Sequence, residues 1–138
     1  MKDLIIISCS SLKKELEGEV NAWDLYDGVV YRLLKKNHIN FNQYDIVIVS
    51  AKYGVIFPNS SIEYYDQLMS KKRARELKDK VSSTLKNIVQ SNYGNIHIVL
   101  GKNYLFCADL LNINDNRFIY YRNTIGITLG RLKKLLKG

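Results

Sequence analysis

Short apolar runs that end in polar turns, each separated from the next by a helix-length segment, constrain this chain's fold most. Leu4-Ile5-Ile6-Ile7 and Ile46-Val47-Ile48-Val49 read as buried strands. Each runs into a polar segment carrying lysine: Ser8-Cys9-Ser10-Ser11-Leu12-Lys13-Lys14 after the first, Ser50-Ala51-Lys52-Tyr53-Gly54 after the second. Residues 3–8 form the expected first strand. A helix follows over 22–36, with Val29, Val30, Leu33 and Leu34 turned inward, and then a second strand over 45–50. Residues 51–68, with the sole proline, are expected to be a long but ordered loop that packs through its aromatics.

Ser70 is the expected N-cap of a helix reaching about Gln90, whose stripe is Ala74, Leu77, Val81, Leu85, Ile88 and Val89. A third strand over 96–100 leads through Gly101 into a helix ending near Leu111. A fourth strand covers 118–121. The last helix starts at Thr124 or Ile125, with Ile125, Leu129, Leu132 and Leu136 on one face. This alternation predicts a single α/β domain over 1–138. The expected form is a Rossmann-like three-layer sandwich with a mainly parallel sheet of about four strands flanked by helices.

A chain of 138 residues, 46% hydrophobic and 25% charged, suits one globular domain with its own core. Its apolar runs are far shorter than the ~20 residues that span a bilayer. The first strand begins too soon for a signal peptide, so a cytoplasmic location is expected. Two cysteines fit a compartment of reduced thiols. Cys107, among Leu105, Phe106 and Ala108, reads as core, whereas polar residues surround Cys9. His38 reads as a solvated helix-end residue and His97 as a packed strand residue. No His/Cys cluster has metal spacing, so neither metal nor cofactor is expected. A formal net charge of +8 favours a polyanion or phosphorylated partner, although solubility alone also selects for charge.

Open α/β sheets hold ligands at the carboxyl ends of their strands. If the first two strands are neighbours, Cys9, Lys13 and Lys52 converge on one crevice. Cys9, Ser10 and Ser11 offer amides, hydroxyls and a thiol to a phosphate or carboxylate, with Lys13 as the cation. The segment lacks the glycines of a Walker loop. Cys9 is a nucleophile only if Lys13 lowers its pKa, and no nearby histidine supplies a base.

After Ser50, Lys52 suits phosphate neutralisation or general-base work, Tyr53 suits stacking on a base, and Gly54 suits a sharp turn. Asp24 or Asp27 is either a helix cap or a ribose-orienting or basic group, beside Tyr26. Tyr64, Tyr65 and Asp66 close the long loop, either against a base or against the core. Lys71, Lys72, Arg73 and Arg75 occupy the first turns of a helix, where cations oppose its dipole unless a phosphate joins them. The basic tail from Arg131 to Lys137 suits a helix C-terminus and needs no ligand.

These residues resemble a family of small uncharacterised domains from bacteria, archaea and phages that is distantly similar to the peroxide-stress protein YaaA. The likeness rests on Cys9 with Lys13, Leu25-Tyr26-Asp27-Gly28, Ser50-Ala51-Lys52-Tyr53-Gly54-Val55 and Tyr65-Asp66. Leu100-Gly101-Lys102-Asn103-Tyr104 and Gly126-Ile127-Thr128-Leu129-Gly130-Arg131-Leu132 extend it over nearly the whole chain. The Cys-x3-Lys element is also similar to the Pro-Cys-x3-Lys-Pro-Tyr motif of archaeosine synthase, which modifies a 7-deazaguanine base in tRNA. Ser8 stands where that motif has its first proline, and Lys14-Glu15 where it has Pro-Tyr. The resemblance implies a common site architecture directed at bases and adds Gly101 and Lys102 to the ligand-binding set.

Three readings follow. In the first, the protein is an enzyme acting on a base or N-glycosidic bond, with Lys13, Lys52, Asp27 and Asp66 as catalytic groups. In the second, it is a non-catalytic binder of DNA, RNA or a nucleotide signal. In the third, its long loop meets another polypeptide.

Overall fold

The computed structural model describes residues 1–138 and has an α/β architecture. In chain order the elements are β1 (Asp3–Ser8), β2 (Val20–Asn21), α1 (Ala22–Leu25), α2 (Val29–Lys36), β3 (Tyr44–Ser50) and β4 (Gly54–Ile56). They continue with β5 (Ser61–Ile62), α3 (Lys71–Val89), β6 (Ile96–Val99), α4 (Lys102–Ala108), β7 (Phe118–Tyr120) and α5 (Ile125–Lys137). Five strands form one sheet in the order β4-β3-β1-β6-β7. β1 runs parallel to β3 and β6, β6 runs parallel to β7, and only β4 is antiparallel. Register pairs Ser8 with Val49 and Ile7 with Val99, so β1, β3 and β6 end along one edge of the sheet.

The two longest central strands carry unbroken apolar runs because both of their faces are covered. Leu4 to Ile7 and Ile46 to Val49 are all buried, and β-branched side chains suit that pleated environment. Each such side chain contributes about 1.5–3 kcal/mol of transfer free energy, which anchors the strands whose ends carry the polar turns. Helix α3 packs on α4, and α2 on α5. No helix is long and apolar enough to cross a membrane.

Three local expectations are corrected. The single helix over 22–36 is two helices, because Lys14 N–H donates to Leu25 O and Asp27 N–H to Leu12 O, each at 2.9 Å. A bridge between Lys13 and Tyr26 holds Tyr26 extended. The break resets the helical phase, so Tyr31 and Leu34 turn inward while Val29 is 52% exposed.

The long loop contains β4, which doubles back on β3 through Gly54 at φ +76°, and β5, which pairs with β2. Strands of two or three residues are too short to show a period. In α5 the buried residues are Thr128 and Leu132, while Ile125 is 56% exposed at the rim of a cavity. By contrast, Ser70 caps α3 as expected, its Oγ accepting from Arg73 N–H at 3.1 Å.

Candidate functional site

The turn after β3 is organised by a serine. Ser50 is fully buried, and its Oγ accepts from Lys52 N–H at 3.2 Å and Tyr53 N–H at 3.1 Å. Those two bonds take both lone pairs, so the Ser50 proton goes to the Tyr65 oxygen 2.9 Å away. Tyr65 then donates to Tyr26, 2.6 Å away. Arg73 secures the same turn from outside. Its Nε donates to Ala51 O at 2.7 Å, and Nη2 to Lys52 O at 3.1 Å.

At the end of β1, Cys9 is buried, not solvated, and its Sγ lies 3.1 Å from the Tyr104 hydroxyl on α4. Tyr31 donates to Ser8 O at 2.7 Å. Ser10 Oγ donates to Leu12 O at 2.6 Å and accepts from Gly28 N–H at 3.3 Å, while Ser11 is exposed. Gly28 is needed for this close approach, since a Cβ there would lie 2.7 Å from Ser10 Cβ. Residues 8–12 and 28–31 line a cavity of about 340 Å³.

The two strand-end lysines meet over one aromatic ring. Lys13 Nζ sits 4.5 Å from the Tyr65 ring centroid and Lys52 Nζ 5.9 Å from it, with Lys52 also 5.2 Å from Tyr53. Tyr53 packs edge-on against Tyr65 at 5.4 Å. Neither lysine forms an ion pair.

Burial, reinforced by Cys9 and Tyr26, pushes the Tyr65 phenol far above its ordinary range. Burial also lifts Tyr104 well upward and Tyr26 to about 12. The phenols facing the lysines therefore stay protonated at neutral pH.

Other expected site residues lie elsewhere. Asp27 is held by Arg32 through Nε at 3.2 Å and Nη2 at 2.9 Å, and these bonds keep its carboxyl below the usual range. It caps neither α1 nor α2, and Asp24 is exposed within α1. Asp66 is exposed beside Tyr65. Lys71, Lys72 and Arg75 are exposed on α3, whereas Arg73 leaves that set because its guanidinium is committed to the Ser50 turn.

Gly101 and Lys102 do not join the lysine pair. They open α4 and line a cavity of about 650 Å³ with Ser8, Arg122 and Asn123. His97 is buried as expected, bonded to Tyr121 and Asp3. No three His, Cys, Asp or Glu side chains converge on one point.

Tyr104 and the inward role of Arg73 were missed. Nothing local distinguishes Tyr104 from the other nine of the chain's ten tyrosines. Only the adjacency of β6 to β1 brings the start of α4 to Cys9.

A family model described as "Family of unknown function (DUF6884)" matches residues 4–137. No curated protein and no solved structure matches the chain.

Proposed function

The chain belongs to that family of unknown function, the match covering almost all of it. We propose that it is a cytoplasmic nucleotide- or nucleic-acid-directed protein, an enzyme acting on a base or on the N-glycosidic bond of a nucleotide or modified nucleoside. The observation that carries this reading is the pair of lysines without ion-pair partners, Lys13 and Lys52, over Tyr65, beside phenols that burial keeps protonated. In this reading the ammonium groups hold a phosphate and offset its charge. Tyr53, half-buried at the rim, offers a ring to a base.

A departing base needs a proton, and in this reading the Tyr65 phenol beneath the lysines or the Cys9–Tyr104 pair at the end of β1 is the donor. Asp66 is the carboxylate left for a ribose hydroxyl or an attacking water, since Asp27 is engaged by Arg32. The α/β fold with its mostly parallel sheet supports the reading, since such sheets hold ligands at the carboxyl ends of their strands. We read the helix pairs α2–α5 and α3–α4 as the two outer layers of a Rossmann-like form. The resemblance of Cys9-x3-Lys13 to base-modifying enzymes points the same way.

A non-catalytic binder is the second reading. It is favoured by the absence of a carboxylate paired with either lysine and by the exposed Lys71, Lys72 and Arg75 on α3. The test is titration of the four ribonucleoside 5′-monophosphates and a short single-stranded oligonucleotide against wild type and Lys13→Ala/Lys52→Ala. Products are analysed by mass spectrometry. The variant is expected to fold normally and lose about tenfold or more in affinity at the lysine-pair site, read from the amides of residues 11–13 and 52–54, about 1.4 kcal/mol per tenfold. Unchanged affinity at those amides in the folded variant overturns the crevice reading. Binding without turnover, steeply salt-dependent and weakened by Lys71→Ala/Lys72→Ala/Arg75→Ala, selects the binder.

A further inference from the structure

The larger cavity stands apart from the lysine pair and has its own chemistry. It lies where β1, β6 and β7 end, lined by Ser8, Val99, Leu105, Tyr121, Arg122 and Asn123 among others. The chain leaving β1 leads to α2, which packs on α5, while the chain leaving β6 enters α4, which packs on α3. Neighbouring strands therefore send their connections to different helix pairs, which opens a crevice between them. Its volume of about 650 Å³ is in the range of small-molecule sites.

The charged groups that this cavity offers are cations, beside the Asn123 amide and the Ser8 and Thr128 hydroxyls. Lys102 and Arg122 are its only charged lining residues, both exposed and neither in an ion pair. Asn123 Oδ1 accepts from Arg131 Nη1 at 2.7 Å, which leaves the amide NH₂ as its free end. Arg131 also donates to Tyr120 O at 3.1 Å and lies 4.1 Å over the Tyr121 ring, so this wall is fixed.

Tyr121 directs its hydroxyl inward to His97 Nδ1, 2.9 Å away, and His97 Nε2 faces Asp3 Oδ2 at 3.0 Å. Nε2 is placed to donate to the Asp3 carboxylate, and Nδ1 shares a hydrogen bond with the Tyr121 hydroxyl. The Tyr121 hydroxyl is thus used in the core, and its ring serves as cavity wall. Val99, Leu105 and Leu111 supply the apolar lining.

We propose that this cavity is a second binding site, for an organic anion with a flat or apolar body, of the nucleoside monophosphate class. The anionic group meets Lys102, Arg122 and the Asn123 amide, and the body lies on Leu105 and Tyr121. The assignment does not depend on the lysine-pair reading. The cavity meets the smaller one that contains Cys9 at β1, because Ser8 and Val30 line both.

Amide NMR of the whole chain tests it, with the four ribonucleoside 5′-monophosphates, inorganic phosphate and the neutral nucleosides as probes. At least one monophosphate is expected to shift Gly101, Lys102 and Asn123 and to bind more tightly than phosphate or its nucleoside. Lys102→Ala/Arg122→Ala is expected to weaken that binding at least tenfold. Ile125→Trp, which fills the mouth without changing charge, is expected to weaken it too. Lys13→Ala/Lys52→Ala is expected to leave it intact.

The inference is overturned if no monophosphate shifts those amides, if phosphate alone binds as tightly, or if neither cavity variant weakens binding. Shifts confined to residues 11–13 and 52–54 overturn it while leaving the lysine-pair reading standing. Shifts confined to residues 101, 102 and 123 do the reverse.

Discussion

Replacing Ser50 with alanine tests whether the strand-end turn and the phenol cluster are one unit. The substitution removes an oxygen that accepts from Lys52 N–H and Tyr53 N–H and donates to Tyr65. Each hydrogen bond contributes about 0.5–1.5 kcal/mol net, and a buried group left unpaired costs about 1–3 kcal/mol. Tyr65 keeps its bond to Tyr26, so the two amides dominate the loss. The expected total is about 2–4 kcal/mol, a large share of the ~5–15 kcal/mol typical of a whole domain. Urea titration followed by fluorescence of the single tryptophan, Trp23, and by far-ultraviolet circular dichroism measures it.

Tyr65→Phe removes one hydroxyl and spares the turn, so its expected cost is smaller, about 1–2 kcal/mol. The double variant loses the Ser50–Tyr65 bond only once. It is therefore expected to fall short of the summed single losses by about 1 kcal/mol. A Ser50→Ala loss under about 0.5 kcal/mol, or strict additivity in the double variant, refutes the unit.

Gly28→Ala is expected to destabilise the fold by about 1–3 kcal/mol through overpacking, because its Cβ meets Ser10 Cβ at 2.7 Å. Adding Ser10→Gly should recover more than half of that loss, and no recovery would contradict the contact. Arg73→Ala is expected to cost about 1–3 kcal/mol, since its bonds to Ala51 O and Lys52 O join α3 to the turn. Lys71→Ala and Lys72→Ala should stay within about 0.5 kcal/mol on the same denaturation curves.

Alkaline titration should separate the phenols. Tyr26 is raised from 10.0 to about 12, so its contribution is complete below pH 10 and is lost as pH climbs towards 12, where the unfolded chain ionises first. Absorbance near 295 nm should show fewer than ten tyrosines ionising before the circular dichroism collapses. Ionisation of all ten with native dichroism intact would contradict the burial.

The four parallel strands were legible because each is a short apolar run closed by a polar turn, and α3 because its cap and stripe agree. The break between α1 and α2 was not. It depends on residues 12–14 pairing with 25–27, a contact absent from any helical period. That the polar turns after β1 and β3 lie side by side was readable from strand ends alone, since parallel neighbours in register finish together. That Lys13 then turns over the Tyr65 ring depends on the same pairing with Tyr26. What holds them there was not readable. Tyr104 reaches Cys9 only because β6 lies beside β1, and Arg73, one of four basic residues among five, is singled out only by the direction its side chain takes.

The polar network at the strand ends is a costly choice for stability alone. One residue inside the edge, β1 and β3 carry the apolar runs Leu4 to Ile7 and Ile46 to Val49, all buried. Yet Ser50, Tyr26, Tyr65 and Cys9 are buried just beyond them. A satisfied hydrogen bond returns only about 1 kcal/mol, and apolar side chains of similar size would pack there at least as well. What apolar packing would not do is orient the turn. Ser50 holds the Lys52 and Tyr53 amides with the same oxygen that reaches Tyr65, and Tyr65 presents the ring on which Lys13 and Lys52 meet. The position of both cations is therefore a consequence of the buried network. A change at Ser50 or Tyr65 should alter anion affinity as well as stability, whereas a loss of equal size in the α3 stripe, such as Leu85→Ala, should alter stability alone.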